Sequence, residues 1–443
     1  MKNRPEARGP RPEEKRTVAL ATLGCKTNQF ESAAMEERLQ AAGYRVVPFE
    51  EGADLVIVNT CTVTAATDAQ SRNLIRRARR LNDGCRVVVT GCYAQVEPQA
   101  TLAIPGVSLV LGNEEKRDLL DLLDQDEAPT IQVSDIRRVE EAVSLPLSAF
   151  AERSRAFVQI QNGCDAFCSY CIIPYARGRS RSVRPDEVVS QVRELVAAGY
   201  PEIVLTGIHI GGYGADLVPP LTLDGLVRRL TAETAVQRLR LGSVEPTEIS
   251  DSLIETVATS PKLCPHFHIP LQAGDDQVLV RMNRHYTTAF FADLVRSIRE
   301  RLPDAAIGLD VITGFPGESE AEFANTCRLI EALPVTHLHV FPFSRRPGTP
   351  AATMPGQLPG DAVKARAAVL RNIGEEKLRV FAASFIGRKL EVVVDAGSAK
   401  GLCRGVSRNY LTVRFSGGEE LTGKAVVVRV SGSDAEGLKG ELA

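Results

Sequence analysis

The sequence of 443 residues lacks a long apolar run. No segment approaches the roughly 18 consecutive apolar residues that a membrane-spanning helix needs, so we expect no membrane partner. The start, residues 1–16, is polar and rich in proline, and it has no apolar stretch of the kind found in signal peptides. We interpret it as a flexible tail. Together these absences predict a cytoplasmic protein.

The sequence also has no large excess of positive or negative residues, since its formal net charge is only -2 at pH 7. A nucleic-acid partner would therefore have to bind a local basic patch rather than a general positive field. No internal repeat or low-complexity segment occurs. With 44% hydrophobic and 24% charged residues, the composition is that of an ordinary globular protein, and the length predicts several domains.

Ten cysteines are present, and in a reducing compartment they are not expected to form a disulfide framework. Three of them, Cys164, Cys168 and Cys171, have the spacing C-x3-C-x2-C. Thiolates are the usual ligands of iron-sulfur clusters, and three of them leave one iron of a 4Fe–4S cluster open for a substrate or cofactor. The alternatives are a zinc site that lacks one ligand, or buried thiols.

Residues 17–128 alternate short apolar strands with helical stretches, which predicts a parallel α/β domain. Cys25, Cys61 and Cys92 each lie at or just after the carboxyl end of a predicted strand, where open α/β sheets bind ligands. The alternative is three ordinary cysteines at strand ends. The other four cysteines are predicted to be plain thiols: Cys85, Cys264, Cys327 and Cys403.

After a predicted linker at 129–148, residues 149–376 contain six predicted strands separated by helical segments. This rhythm predicts a partial (βα)6 barrel with its active site at the carboxyl ends of the strands. Residues 377–443 alternate β-like runs with glycine-containing turns and predict a small all-β barrel. The predicted fold class is therefore α/β, with an N-terminal parallel α/β domain, a central partial barrel and a C-terminal all-β barrel.

Several motifs resemble those of one family. NGCDAFCSYCIIPYARGRSRS resembles the cluster loop of radical S-adenosylmethionine enzymes, and TLGCKTNQFES, VNTCTV and TGCYAQ resemble the N-terminal domain of the methylthiotransferases among them. FHIPLQAGDDQVLVRMNRHYT, GLDVITGFPGE and FPFSRRPGTPAA are similar to further segments of these enzymes, so the resemblance spans nearly the whole chain after the tail. It implies two 4Fe–4S clusters, one on Cys164, Cys168 and Cys171 and a second on Cys25, Cys61 and Cys92.

The resemblance also implies a pocket for S-adenosylmethionine, of which two molecules are used per turnover. The residues expected to line it are Tyr170, Thr206, Gly207, Ser243, Glu245, Gln272, Asp310 and Ile312. Tyr170 precedes the last cluster ligand and matches the aromatic position whose backbone meets the adenine. Each of these residues has an alternative interpretation as a packing or capping residue at the barrel rim. His268 lies between apolar neighbours and is expected to be a hydrogen-bonded core histidine.

TLGCKTNQFES and YCIIPYARGRSRS are most similar to the branch that acts on N6-threonylcarbamoyladenosine in tRNA, although Thr27 stands where valine is more familiar. The alternatives are branches acting on N6-isopentenyladenosine in tRNA or on a ribosomal-protein aspartate, and a non-catalytic iron-sulfur RNA-binding protein. The preferred branch implies methylthiolation of carbon 2 of that nucleoside at position 37, in the tRNA anticodon stem-loop. It further implies an electron donor such as flavodoxin or ferredoxin, and a sulfur source.

Residues 377–443 resemble the TRAM domain, an OB-like barrel that binds RNA. Lysines and arginines outnumber acidic residues between Gly387 and Val430, which favours contact with phosphate. The residues expected to contact RNA are Lys400, Arg404 and Arg408 in this barrel, and Arg177 and Arg179 after the cluster loop. The alternative is that these side chains form solvated charged surfaces.

Overall fold

The computed structural model describes residues 16–124, 129–142, 145–150, 154–397 and 401–443. The chain forms two compact units. The first ends at Ser134 and the second begins at Asp135, except that the segment Val63–Ala65 belongs to the second unit. Within the described residues, no helix has the length and apolar character that crossing a membrane requires.

The first unit is a six-stranded, fully parallel sheet with helices packed on it. Its strands are β1 (Thr17–Thr22), β2 (Arg45–Val46), β3 (Leu55–Thr60), β4 (Arg86–Gly91), β5 (Val107–Leu111) and β6 (Thr130–Gln132). Its helices are α1 (Lys26–Ala41), α2 (Ala65–Leu81), α3 (Cys92–Val96), α4 (Pro98–Leu102) and α5 (Leu119–Leu123). The order across the sheet is β2-β1-β3-β4-β5-β6. The predicted parallel α/β domain is confirmed.

All six residues of the central strand β3 are buried. Because successive side chains point to opposite faces of a sheet, this strand is covered on both faces. Ile57 packs in the same apolar cluster as Met35 of α1. Val58 packs in a second cluster with Ile75 of α2. Consecutive residues of one apolar run therefore bind helices on opposite faces of the sheet, which is typical of parallel α/β domains.

The second unit begins with eight strands, of which six are parallel, whereas the second and third along the chain form a short antiparallel pair. Its first strands are β7 (Ala156–Gln159), β8 (Gln161–Asn162), β9 (Arg181–Ser182), β10 (Ile203–Thr206), β11 (Leu239–Leu241), β12 (His266–Gln272), β13 (Ala306–Thr313) and β14 (His337–Pro342). Two three-stranded sheets, β7-β10-β11 and β12-β13-β14, are joined by isolated parallel bridges between Leu239 and Leu263 and between Ser243 and His268. Six parallel strands in this order confirm the predicted partial (βα)6 barrel.

Helices alternate with these strands. They are α6 (Ile173–Arg177), α7 (Pro185–Ala197), α8 (Leu223–Glu233), α9 (Asp251–Thr259), α10 (Asp276–Arg281), α11 (Thr288–Arg301), α12 (Glu320–Ala332) and α13 (Gly360–Ala383). Four of them begin after a hydroxyl side chain that accepts a hydrogen bond from the first helical turn. These N-cap residues are Thr222, Ser250, Thr287 and Ser319. The polar residue before each apolar stretch therefore sets where the helix starts.

The chain ends in a closed five-stranded barrel of order β15-β16-β17-β19-β18, as predicted. Its strands are β15 (Lys389–Gly397), β16 (Leu402–Ser407), β17 (Thr412–Ser416), β18 (Ala425–Asp434) and β19 (Gly437–Leu442). Val394, Val413 and Phe415 lie in its apolar core. Helix α13 crosses the boundary expected between residues 376 and 377, and strand β6 lies in the expected linker. The domain boundaries stay predictions.

A buried ion cluster connects the amino-terminal ends of β10 and β11 with the terminal barrel. The Glu202 carboxylate accepts hydrogen bonds from Arg238 at 2.7 Å and from Arg240 at 2.7 Å, and all three side chains are almost completely buried. The two guanidinium groups also donate to backbone oxygens of the terminal barrel. Arg238 contacts Val406 at 3.2 Å, and Arg240 contacts Arg408 at 2.8 Å. This cluster holds the terminal barrel against the parallel strands.

Candidate active site

The C-x3-C-x2-C segment forms a compact loop at the carboxyl end of the first barrel strands. The Cys164 backbone N–H donates to the Gly178 oxygen at 3.0 Å, and that of Cys171 donates to the Cys168 oxygen at 2.9 Å. Gly163 has φ +76°, and a Cβ added there would lie 1.7 Å from the Arg179 carbonyl oxygen. Only glycine fits this close approach. The loop therefore folds back on the segment after α6 and places three thiols in one turn.

Two polar side chains from distant segments face these thiols. His209 Nδ1 lies 3.6 Å from Cys164 Sγ, and the other ring nitrogen lies 2.8 Å from Glu248. Arg284 Nη1 donates to Cys168 Sγ at 3.3 Å. N–H groups directed at ligand sulfurs stabilise their negative charge and adjust the reduction potential of a cluster. Sequence reasoning missed both side chains, and the only signals were the motifs around them, GIHIGGYG and RMNRHYT.

The buried guanidinium of Arg284 is itself held by Glu245, one of the residues predicted to line the cofactor pocket. Arg284 also lies over the ring of Tyr286, with 5.0 Å between the guanidinium carbon and the ring centroid. The Tyr286 hydroxyl donates to the backbone oxygen of Leu271 at 2.8 Å. These contacts fix the cation beside the cluster loop, and they connect Glu245 with the thiol of Cys168.

Burial raises the pKa of the Cys171 thiol to about 12. At neutral pH this sulfur is therefore a thiolate only when a positive charge, such as a bound metal, lies beside it. Cysteine binds metals as the thiolate. The loop offers three thiols, whereas the other cysteines of this unit, Cys264, Cys327 and Cys403, lie in other elements. Three thiols in one loop, with the Arg284 N–H on one of them, fit a 4Fe–4S cluster with one open iron better than a four-ligand zinc site.

A cavity of about 220 Å³ adjoins the cluster loop. Its lining includes Cys171 and four of the residues predicted to bind S-adenosylmethionine, which are Tyr170, Gln272, Asp310 and Ile312. Apolar side chains dominate the remaining wall, and few polar groups point into the cavity. This composition is typical of a pocket for a small cofactor.

The other four predicted pocket residues do not line this cavity, and one of them, Glu245, is the partner of Arg284 described above. Thr206 is buried at the end of β10, and Gly207 follows it directly. The Ser243 hydroxyl donates to the backbone oxygen of His268 at 3.4 Å and so helps to join β11 with β12. These contacts agree with packing at the barrel rim. A role of Thr206, Gly207 and Ser243 in cofactor binding stays a prediction.

Asp310 is the charged group of the cavity. Its Oδ1 atom lies 2.7 Å from His268 Nε2 and 3.3 Å from His339 Nδ1. Burial alone would raise the pKa of Asp310, but His268 and His339 hold it well below the usual range. The carboxylate is therefore ionised and can accept hydrogen bonds from hydroxyl groups of a ligand. His268 is hydrogen-bonded, as expected, and its partner is this carboxylate, which it positions. Sequence reasoning missed His339 entirely.

The second set of cysteines lies at the carboxyl edge of the first unit's sheet. Cys25 is the N-cap residue of α1, Cys61 follows β3, and Cys92 is the first residue of α3. The strand order reverses between β1 and β3, and such a switch point opens a crevice at this edge. Cys25 and Cys92 lie at helix N-termini, whose partial positive charge favours the thiolate form.

Hydrogen bonds tie the three cysteine-bearing loops together. Asn28 donates to the Thr60 oxygen at 3.0 Å, and the Thr60 hydroxyl donates to the Thr90 oxygen at 2.5 Å. A Cβ added at Gly24 would lie 2.8 Å from Cys61 Sγ, so the loop after β1 touches the second cysteine. The first unit thus brings three thiols to one sheet edge, and this donor set fits a cluster with three protein ligands.

Two of the residues predicted to contact RNA are buried or bound within the fold. The Arg177 side chain is fully buried, so it does not meet phosphate at the surface. Arg408 donates to the backbone oxygens of Gln237 at 3.4 Å and Leu263 at 3.0 Å, so its guanidinium binds the rim of the parallel strands instead. The basic sequence pattern does not distinguish arginines that bind backbone carbonyls from arginines that face solvent.

The remaining RNA predictions are untested. Arg179 and Arg404 are exposed and can meet phosphate. Lys400 lies outside the described residues.

Comparisons with known proteins agree with this arrangement. Residues 17–112 match the Uncharacterized protein family UPF0004, and residues 158–330 match the Radical SAM superfamily. The threonylcarbamoyladenosine tRNA methylthiotransferases MtaB of Bacillus subtilis and Rickettsia prowazekii are 41% and 40% identical, over 94% and 85% of this chain and 93% and 87% of theirs. The tRNA-2-methylthio-N(6)-dimethylallyladenosine synthase of Moorella thermoacetica is 34% identical over 97% of this chain and 98% of its own.

Among solved structures, the radical S-adenosylmethionine methyltransferase TsrM from Kitasatospora setae superimposes with a TM-score of 0.57 at 18% identity. The match covers 76% of this chain and 77% of TsrM, and it supports the fold alone. The identity to the Bacillus subtilis relative covers 94% of this chain. All six cluster-type cysteines lie in the two segments that match the family models. The chain therefore belongs to the radical S-adenosylmethionine methylthiotransferase family, enzymes that use a 4Fe–4S cluster and S-adenosylmethionine.

Proposed function

We propose that this enzyme transfers a methylthio group to carbon 2 of N6-threonylcarbamoyladenosine at position 37 of tRNA. The observation that carries the proposal is the presence of two three-thiol sites, each at the carboxyl edge of parallel strands. One such site suits the generation of a radical, and the second suits the supply of sulfur. The two relatives named for this nucleoside are also more similar to the chain than the relative named for dimethylallyladenosine.

The proposed radical site consists of Cys164, Cys168 and Cys171. When bound there, a 4Fe–4S cluster supplies the electron for reductive cleavage of S-adenosylmethionine. Radical chemistry is required because the hydrogen on carbon 2 of adenine is not acidic, so a general base does not activate this position. Arg284 directs an N–H group at the Cys168 sulfur and supports the charge of the reduced site, and His209 lies beside the Cys164 sulfur.

The cavity beside the cluster loop is the proposed position of S-adenosylmethionine. Asp310 would accept hydrogen bonds from its hydroxyl groups, because His268 and His339 keep the carboxylate ionised. Tyr170 and Ile312 would pack against its flat or apolar parts. The apolar wall keeps water away from the reacting atoms.

The second cluster, on Cys25, Cys61 and Cys92, is the proposed holder of the transferred sulfur. A three-thiolate site leaves an iron free to bind a sulfur atom that can accept a methyl group. The reaction would use two molecules of S-adenosylmethionine, an electron donor such as flavodoxin or ferredoxin, and a sulfur source. These partners and a cytoplasmic location are part of the proposal.

The proposal is tested by deleting the gene and measuring tRNA nucleosides by mass spectrometry. We expect 2-methylthio-N6-threonylcarbamoyladenosine to disappear and its precursor without the methylthio group to accumulate. The full chain should restore the product, whereas the Cys168→Ala variant should not. Unchanged product in the deletion strain would overturn the proposal.

The same samples separate the alternatives. Loss of the 2-methylthio derivative of N6-isopentenyladenosine, with the threonylcarbamoyl product intact, would assign the enzyme to that branch. A mass decrease of one methylthio group on a ribosomal protein would assign it to the protein-modifying branch. Both results contradict the preferred substrate.

A further inference from the structure

Helix α2 of the first unit carries an unusual concentration of arginine. Five of its residues are arginines, Arg72, Arg76, Arg77, Arg79 and Arg80, and Asp68 is its only acidic residue. The helix packs on the sheet through Ser71, Ile75 and Ala78. The arginines therefore lie outside the face that contacts the core.

Four of the five arginines fall into two groups according to their partners. Arg77 forms an ion pair with Glu50, and Arg79 forms one with Asp83 at 3.0 Å. Arg76 and Arg80 are exposed, and no carboxylate within the described ranges lies within ion-pair distance of either guanidinium. The structure neutralises one pair of charges internally and leaves the other pair to solvent or to a partner.

Arg72, Arg76 and Arg80 are spaced by four residues and form one stripe about 12 Å long, from a rise of about 1.5 Å per residue. The stripe begins near the second set of cysteines. Arg72 Nη1 lies 3.4 Å from the hydroxyl of Tyr93, the residue that directly follows Cys92. The basic stripe therefore leads away from the proposed sulfur-donating site along the helix.

We propose that this stripe, Arg72–Arg76–Arg80, binds phosphates of the RNA substrate beside the sulfur-donating site. The inference rests on the proposed function, because a methylthio group can be transferred only to a base brought to that site. A linear row of guanidinium groups without carboxylate partners complements a linear row of phosphates. An acidic electron carrier would instead have to serve the radical site of the second unit, so the position of the stripe favours RNA.

The test compares two double variants of the full-length protein that remove the same charge from the same helix. One is Arg76→Gln with Arg80→Gln, and the matched control is Arg77→Gln with Arg79→Gln. The dissociation constant of tRNA is measured by fluorescence anisotropy across a range of salt concentrations, without turnover. We expect the first variant to bind tRNA about tenfold more weakly at low salt. The slope of log binding constant against log salt concentration should become shallower by about 2, whereas the control should keep the affinity and the slope of the native protein.

Equal effects in the two variants would overturn the inference, because they would reflect general charge rather than the stripe. An unchanged salt slope in the first variant would also overturn it. If that variant bound tRNA normally but bound reduced flavodoxin more weakly, the stripe would be a docking surface for the electron carrier. Because binding is measured without turnover, a failure of the proposed nucleoside assignment is seen separately in the tRNA mass spectra.

Discussion

Replacement of Cys25, Cys61 and Cys92 by alanine should lower methylthiolation of tRNA by more than about a thousandfold, because these residues act as one unit. The same variant should still cleave S-adenosylmethionine, since Cys164 and Cys168 lie in the other compact unit. The measurement is mass spectrometry of 5′-deoxyadenosine and of the modified RNA in one reaction. The expected pattern is 5′-deoxyadenosine without methylthiolated RNA.

The first unit provides a matched control in Cys85. This cysteine is buried in the apolar cluster on the α2 face of the sheet, and burial raises the pKa of its thiol, so it remains a protonated, inert group. Cys85→Ala removes a thiol from the same unit and should leave both products intact. Cys168→Ala should abolish both. Methylthiolated RNA from the triple variant would refute the role of the second site.

The second large effect is expected at Glu202. Glu202→Gln leaves Arg240 buried without a counter-charge and leaves Arg238 with only the partly exposed Glu391, and breaking such a cluster costs about 3 to 5 kcal/mol. Domains are stable by only about 5 to 15 kcal/mol, so the free energy of unfolding from urea titration should fall substantially. Glu233→Gln is the control, because its partly exposed pair with Arg229 contributes about 0 to 1 kcal/mol.

The contribution of Glu202 also depends on pH. Burial disfavours its charge, but the adjacent arginines outweigh burial and lower the pKa of Glu202 from 4.5 to about 2. A group whose pKa is lower in the folded state stabilises the fold above its ordinary pKa, and that stabilisation disappears as the pH falls through the folded value. The stability difference between the native protein and Glu202→Gln should therefore shrink below pH 4.5 and vanish near pH 2. A difference that stays constant across this range would contradict the ion cluster.

Much of the architecture could be predicted because its signals are local. The strands β1, β3 and β4 are short apolar runs followed by helical patterns, and Cys25, Cys61 and Cys92 lie at or just after their ends. Three β-like runs in the sequence predict the terminal barrel, whereas glycine and charged residues interrupt the apolar pattern of strands β16 and β19. Strand β6 has three residues, too few for a periodic signal, and it exists because β5 pairs with it.

The parts of the site that the sequence did not predict depend on long-range contacts. His209 meets Cys164 across 45 residues, and Arg284 meets Cys168 across 116 residues. No spacing rule connects such positions. His268 illustrates the same limit, because an apolar sequence context predicts a core position, whereas the partner that defines its role, Asp310, lies on the next strand.

Burial of charge was equally hard to predict. Arg177 and Arg240 occur in polar or mixed segments, yet both side chains are completely buried. The exposed Arg76 and Arg80 have similar surroundings in the sequence. Only the packing of the helices and barrels distinguishes an arginine that stabilises the fold from one that remains available to a partner.

The most direct test of the two-site account is an isotope transfer. A tRNA anticodon stem-loop with deuterium on carbon 2 of its N6-threonylcarbamoyladenosine is incubated with the reconstituted enzyme, S-adenosylmethionine and a reductant. The account predicts that deuterium appears in 5′-deoxyadenosine while the RNA gains a methylthio group. Methylthiolated RNA formed together with unlabelled 5′-deoxyadenosine would contradict it.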